Sequence, residues 1–245
     1  MLNAEQKIAV ISGGSSGIGR AFVAALHEAG WRICASGRDA EKLRQLERDF
    51  PGVRTIVCDV ADRDAVATAA ATILGEEPRI DLLISNAGGL VEIDFTTPAL
   101  GDLDLTAEIR SNLIGAIDWI AAFLPGLRRA SEGRIIIVGS GYGVAPVTRA
   151  PVYSAAKAGL HGFAKALRRQ LAPLGIGVTE VLPPLVDTPA VAHRQGKKLS
   201  AAAIATETLN ASARKQEEVY PGQARMLPLM LRLAPRFIEK MVAAS

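Results

Sequence analysis

The sequence predicts an α/β fold: one doubly wound parallel sheet with helices on both faces, all 245 residues forming a single domain. Three observations predict it. Short apolar, β-branched runs alternate with longer segments of helical spacing. The runs read as apolar throughout, as strands buried on both faces do, and that is the signature of parallel pairing. A glycine-rich turn joins the first run to the first helical segment.

Strands are expected at 7–12, 32–36, 54–58, 82–85, 134–139 and 177–182, and helices at 17–29, 40–50, 62–74, 105–124 and 153–171. Asp39 stands where it would cap the helix that starts at Ala40. No repeat or low-complexity linker divides the series. The rhythm breaks after Leu182, where Pro183-Pro184-Leu185-Val186-Asp187-Thr188-Pro189 leads through a polar stretch to an Ala-rich helix from near Ser200. An insertion after a strand's carboxyl end lies where ligands bind in open α/β sheets, so 185–215 reads as a substrate lid. From about 222 to 245 a helical tail sets Leu227, Met230, Leu231, Phe237 and Met241 among Arg225, Arg232, Arg236 and Lys240. Such a tail packs on its own domain or a sister subunit, or alternatively touches a membrane surface.

Composition excludes several classes. Hydrophobic residues make up 49% and the formal net charge is +3, far from the disordered class. No dense basic run with interleaved aromatics exists, so no nucleic-acid partner is expected. Residues 190–245 carry a net +5 and the remainder −2. This is either a solvated basic face or a rim that attracts an anionic substrate. Cys34 and Cys58 lie in apolar runs without neighbouring Cys or His, which reads as buried thiols in a reducing compartment and no metal. The first residues have no signal-peptide pattern and no apolar run reaches span length, so a cytoplasmic chain with no membrane span is expected.

The turn Ser12-Gly13-Gly14-Ser15-Ser16-Gly17-Ile18-Gly19 opens the first helix. Glycines there let the backbone approach a pyrophosphate, and the helix N-terminus supplies N–H donors and a positive dipole end. At the end of the second strand, where a site for NAD carries a carboxylate, the sequence has Gly37 followed by Arg38. Losing an anion and gaining a guanidinium favours a 2′-phosphate, hence NADP(H) over NAD(H). Further along, Tyr153 and Lys157 are four apart and share a helix face. A phenol near pKa 10 needs a neighbouring cation before it can exchange protons at neutral pH. Ser140, thirteen residues before Tyr153, ends a strand where its hydroxyl could polarise a carbonyl.

Together these motifs resemble the short-chain dehydrogenase/reductase family, a Rossmann-like fold, over roughly residues 5–190. The likeness adds Asp59, Asn86-Ala87-Gly88 and Asn112 in their expected order. It implies a hydride transfer between a nicotinamide cofactor and a small alcohol or carbonyl compound, apolar or anionic. Tyr153 would exchange the proton, Ser140 would hold the substrate oxygen, Lys157 would tune the tyrosine and hold the ribose, and Asn112 would position a water. Cofactor contacts would fall to Gly13, Ser15, Ser16, Gly17, Ile18, Gly19, Arg38, Asp59, Val60, Asn86, Ala87, Gly88, Tyr153, Lys157, Pro183, Val186 and Thr188. Where the family often has Pro-Gly, this chain has Pro183-Pro184, and its tail differs from members that build tetramers through a glycine-rich ending. A homodimer through the helices of Asn112 and Tyr153 is expected, with a tetramer as the alternative. A non-catalytic dinucleotide sensor, or an epimerase or dehydratase on the same fold, are the competing functions. His27, His161 and His193 are left outside the site, His161 as a packing residue at a subunit face; Tyr142 is a substrate-facing candidate.

Overall fold

The computed structural model describes residues 6–97, 100–101, 103–184, 186–187 and 198–243. All six expected strands form: β1 (Ile8–Ile11), β2 (Arg32–Gly37), β3 (Arg54–Val57), β4 (Leu82–Ser85), β5 (Arg134–Val138) and β6 (Gly177–Val181). They pair in parallel in the order β3-β2-β1-β4-β5-β6. A seventh strand, β9 (Glu218–Val219), adds to β6 with Val219 beside Val181. A separate two-stranded pair joins β7 (Val186–Asp187) to β8 (Leu199–Ser200).

Apolar residues on successive positions of one strand feed two cores, because side chains alternate across a sheet. Val10, Leu83, Ile135 and Ile137 face the core shared with α3 (Arg63–Glu76), α5 (Gly115–Leu127) and α6 (Pro151–Leu171). Ala9, Ile11, Ile84 and Ile136 face the core shared with α1 (Gly17–Glu28), α2 (Ala40–Asp49) and α7 (Ala201–Ala213). Trp119 and Phe123, both fully buried, meet with ring centroids 4.6 Å apart on the first of these faces. β3 departs from the expectation of two buried faces: Val57 is 60% exposed, because β3 is the sheet's outer edge and lacks helix cover on its rim.

Capping decides where helices begin. Asp39 accepts from the backbone N–H groups of Glu41 and Lys42, and Asp62 from those of Asp64 and Ala65. The continuous helix expected over 105–124 is instead α4 (Ala107–Ile109), a π turn at Arg110–Ile114, and α5, which runs on to Leu127. The Asn112 side-chain amide donates to the Glu108 carbonyl at 3.1 Å, a bond that competes with the backbone ladder. Such wide turns recur at functional sites.

The described part of 185–215 divides its roles. Ser200 caps α7, whose Ile204, Ala205, Thr208 and Ala211 are buried, and α7 packs on α1. Residues 188–197, with Thr188 and His193, lie outside the described residues. The tail forms α8 (Leu227–Leu233) and α9 (Pro235–Ala243), parted at Ala234-Pro235 because proline cannot continue the hydrogen-bond ladder. Among the described residues, no helix is long and apolar enough to cross a membrane.

Strand order reverses between β1 and β4, so a crevice opens past their carboxyl ends.

Candidate active site

That crevice is a cleft of about 2100 Å³. A single small ligand fills roughly 300–1,000 Å³, so there is room for a dinucleotide and a second molecule together.

The end of the cleft at the glycine turn is built on backbone. Gly13 and Gly17 hold φ of 66° and 54°, left-handed values that side chains resist. A Cβ at Gly13 would meet Asn86 Nδ2 at 2.8 Å and Ala87 Cα at 2.9 Å, and one at Gly19 would sit 2.0 Å from the Gly13 carbonyl oxygen. Gly13, Ser15, Ser16, Gly17 and Ile18 line the cleft, while Gly19 is buried behind the turn. Ser16, the N-cap of α1, makes no side-chain cap bond, and the first turn holds no acidic residue. The helix therefore presents unsatisfied N–H groups and an uncompensated positive end to whatever occupies the cleft.

Two side chains lock this turn, Asn86 just past β4 and Ser12 just past β1. Asn86 Nδ2 donates to the carbonyls of Ser12 (3.1 Å) and Gly13 (3.0 Å). Ser12 Oγ in turn accepts from the backbone N–H groups of Asn86 (3.0 Å) and Ala87 (3.1 Å). Ser12 was not singled out in the sequence; a buried hydroxyl at a strand end just before a glycine turn is the signal that could have found it.

At the end of the cleft past β2, Arg38 and Asp59 form a loose ion pair of 4.0 Å with side chains 76% and 44% exposed. Asp59 Oδ1 also accepts from Ala61 N at 3.0 Å, and Val60 lines the wall beside it. Arg20 and Lys42 line the same end but are engaged by Asp49 (2.8 Å) and Asp39 (3.4 Å).

The opposite end gathers the titratable groups. Tyr153 and Lys157 ride the first turns of α6, which starts on Pro151 at a position where a missing N–H costs nothing. Lys157 Nζ lies 5.7 Å from the Tyr153 ring centroid and donates to the Val138 carbonyl at 2.9 Å. Only 5% of Lys157 is exposed. Burial drives its ammonium down from the usual 10.5 to about 8, and the negative charge of Glu180 works in the other direction. Ser140, at the end of β5, accepts from Tyr142 N at 3.1 Å through Oγ, which leaves its own O–H to donate. The Tyr142 ring stands edge-on to Tyr153 with centroids 6.5 Å apart, and its hydroxyl accepts from Arg149 Nη2 at 3.1 Å.

Asn112 is 1% exposed and presses on the Asn86-Ala87-Gly88 loop. Its Nδ2 donates to the Gly89 carbonyl at 2.9 Å, and a Cβ at Gly88 would sit 2.4 Å from its Oδ1. Pro183 accepts from Gly141 N at 3.2 Å, tying the turn after β6 to the Ser140 turn; Pro183, Pro184 and Val186 line the cleft. The tail closes this end. Leu227 and Met230 of α8 and Met241 of α9 line the cleft, and the Ala243 carbonyl accepts from Thr148 N at 3.2 Å. Phe237 and Leu233 face outward, 69% and 75% exposed. His161 packs into the sheet, with Nδ1 2.7 Å from Glu180 Oε2.

The family model described as short chain dehydrogenase matches residues 7–218. The uncharacterized oxidoreductase DltE of Bacillus subtilis is 37% identical over 182 residues, covering 73% of this chain and 71% of that one. An uncharacterized oxidoreductase of Staphylococcus saprophyticus is 31% identical over 195 residues, 77% of this chain and 82% of its own. A solved short chain dehydrogenase from Burkholderia cenocepacia, in complex with NADP, superposes with a TM-score of 0.84 at 26% identity, covering 98% of this chain and 99% of that one.

Proposed function

The chain belongs to the short-chain dehydrogenase/reductase family and is an NAD(P)-dependent oxidoreductase; from that premise we propose that it uses NADP(H), with Tyr153 exchanging the proton at an alcohol or carbonyl oxygen. The observation that carries the reading is the buried Lys157 ammonium beside the Tyr153 ring, at the end of a cleft that starts on the glycine turn.

The residues present fit a dinucleotide. The left-handed glycine turn would be blocked by any Cβ at Gly13 or Gly19, and the open N-terminus of α1 suits a pyrophosphate. Gly13, Ser15, Ser16, Gly17 and Ile18 would hold the phosphates, with Gly19 keeping the turn tight. Arg38 would meet a 2′-phosphate, Asp59 and Val60 the adenine, and Asn86, Ala87 and Gly88 the middle of the cofactor. Lys157 and Tyr153 would hold the nicotinamide ribose, and Pro183, Val186 and Thr188 the carboxamide. When bound, the nicotinamide supplies or accepts the hydride.

The chain supplies the rest. In this reading the Lys157 charge, 5.7 Å from the ring, supports passage of the Tyr153 proton to and from the substrate oxygen. The Ser140 O–H, free to donate, would bond the same substrate oxygen and stabilise negative charge developing there. Asn112, fixed in its π turn, would position a water linking Lys157 to solvent. Leu227, Met230 and Met241 exclude water and favour a substrate with an apolar body, and the Tyr142–Arg149 corner offers it a polar edge. Free Cys34 and Cys58 support a reducing, cytoplasmic setting. A homodimer through the helices of Asn112 and Tyr153 completes the reading; Ile114, on the first of them, is 46% exposed.

The test is a screen of carbonyl compounds for NADPH oxidation, followed by Tyr153→Phe on the best of them. Turnover is expected to fall by roughly 10²–10⁴-fold, the usual worth of a positioned acid–base group. Unchanged turnover removes Tyr153 from the chemistry.

A further inference from the structure

Glu180 plays no part in the chemistry above, yet it occupies the least favourable place in the sheet for a charge. It sits in β6, and its side chain is fully buried (0% exposed). A carboxylate there is costly unless its charge is met. One oxygen is satisfied: Oε2 lies 2.7 Å from His161 Nδ1. The other, Oε1, has no hydrogen-bond partner among the described residues.

Oε1 points toward the cleft wall. A Cβ at Gly139 would lie only 2.4 Å from it, so glycine at 139 is what lets the carboxylate approach. Gly139 itself lines the cleft, between Val138, whose carbonyl receives the Lys157 ammonium, and Ser140. On α6 the residues Tyr153, Lys157 and His161 follow one another at four-residue steps, on one helix face. The buried carboxylate therefore meets this row at its imidazole, and at Gly139 it lies next to the strand end whose Val138 carbonyl receives the Lys157 ammonium.

We propose that Glu180, braced by His161, is a positioning residue that supplies the buried negative charge holding the Lys157 ammonium in its charged form beside Tyr153. This rests on the reading of Tyr153 and Lys157 given above and adds a group to it. Burial by itself favours the neutral amine of Lys157, and Glu180 is the charged residue that opposes it. Of the other neighbours, Glu108 of α4, which packs on α6, spends Oε1 on the Val91 N–H at 2.7 Å, and burial raises its carboxyl toward the neutral form. From β5 come the Val138 carbonyl and Gly139, which are uncharged. Beyond β9, Tyr220 donates to Glu218 Oε2 at 3.0 Å, and burial raises its pKa far above the ordinary tyrosine value, so it stays neutral. Glu218 is turned toward Tyr220 and, at 3.9 Å, Lys165.

A purely mechanical role, clamping α6 to β6 through His161, makes a different forecast. Glutamine at 180 keeps the shape and can still bond the imidazole, but it carries no charge. In protein labelled with ¹³C at lysine Cε, the Lys157 resonance, identified by its loss in Lys157→Met, should titrate near pH 8 in the parent chain. In Glu180→Gln the midpoint should fall by about one pH unit or more, at least tenfold weaker proton affinity. A folded Glu180→Gln chain whose Lys157 midpoint is unmoved leaves only the clamp and overturns the proposal. Should Glu180→Gln not fold, ¹³C-glutamate labelling of the parent chain decides: a Glu180 side chain that reads as carboxylic acid at pH 7 overturns the proposal, and a carboxylate supports it. Neither readout requires turnover. A shifted Lys157 midpoint together with an active Tyr153→Phe would therefore sink the acid–base reading and leave this one standing.

Discussion

Replacing Arg38 with alanine is expected to weaken NADPH binding by about 30-fold while changing NADH binding less than about twofold. The magnitude follows from the position of the guanidinium. It is 76% exposed at the mouth of the cleft, so its attraction for a phosphate is set by water rather than by the protein interior. Unit charges about 4 Å apart in water attract by about 1 kcal/mol, and a phosphate carries close to two, which gives about 2 kcal/mol. At about 1.4 kcal/mol per factor of ten, that is about 30-fold. The ion pair to Asp59 is 4.0 Å long, too loose to compete strongly for the guanidinium. Without Arg38, the Asp59 carboxylate would face the same phosphate uncompensated and deepen the loss. A 2′-hydroxyl has no charge to lose, hence the spared NADH. The assay is quenching of protein fluorescence by each cofactor, at low and high salt, since screening should shrink the NADPH effect. Equal losses for NADPH and NADH, or no loss for either, would refute the assignment of Arg38 to a 2′-phosphate.

Two further outcomes follow from the site. Lys157 is charged below about pH 8 and neutral above it, so whatever its charge supports should be lost as pH rises through about 8 rather than near 10.5. Carbonyl reduction and NADPH affinity should therefore decline together there, measurable as pH profiles of kcat/KM and Kd. Stability moves the other way: between about 8 and 10.5 the unfolded chain holds this proton and the folded one does not, so this group makes folding more favourable as pH rises across that window. Replacing Asn86 by alanine removes its bonds of 3.1 and 3.0 Å to the Ser12 and Gly13 carbonyls, about 1 kcal/mol each. Calorimetry should show Tm lower by about 4–8 °C, with weaker cofactor binding because the glycine turn loosens; an unchanged Tm would mean that the turn holds itself.

Much of this site was legible because its parts are short and local. A run such as Ile8-Ala9-Val10-Ile11 is apolar on both of its alternating faces, as strands of a covered parallel sheet are, and both cores receive alternate residues from it. Asp39 and Asp62 mark helix starts because a cap is a contact two or three residues long. Tyr153 and Lys157 share a face by helical spacing alone. The Gly13–Gly19 turn is readable because only glycine tolerates its backbone.

Other features depend on what the fold brings near. β9 is two residues long and becomes a strand because β6 offers it an edge. The π turn at Arg110–Ile114 reflects competition between the Asn112 amide and the helix ladder, which periodicity does not register. Leu227, Met230 and Met241 read as any amphipathic tail until α8 and α9 fold over the end of the cleft that holds Tyr153 and Lys157. Glu180 sat unnoticed in an apolar strand, and His161 passed as a packing residue. Nineteen positions separate them, and their 2.7 Å contact exists only because α6 crosses back to lay its face on β6. The sequence by itself therefore determined the layers, the cofactor turn and the tyrosine–lysine pair, whose causes lie within a few residues. The tertiary structure alone decided that Glu180 meets His161 beneath α6 and that an apolar wall from the tail closes the cleft, because hydrogen bonds and Coulomb forces act through space while sequence patterns report only neighbours along the chain.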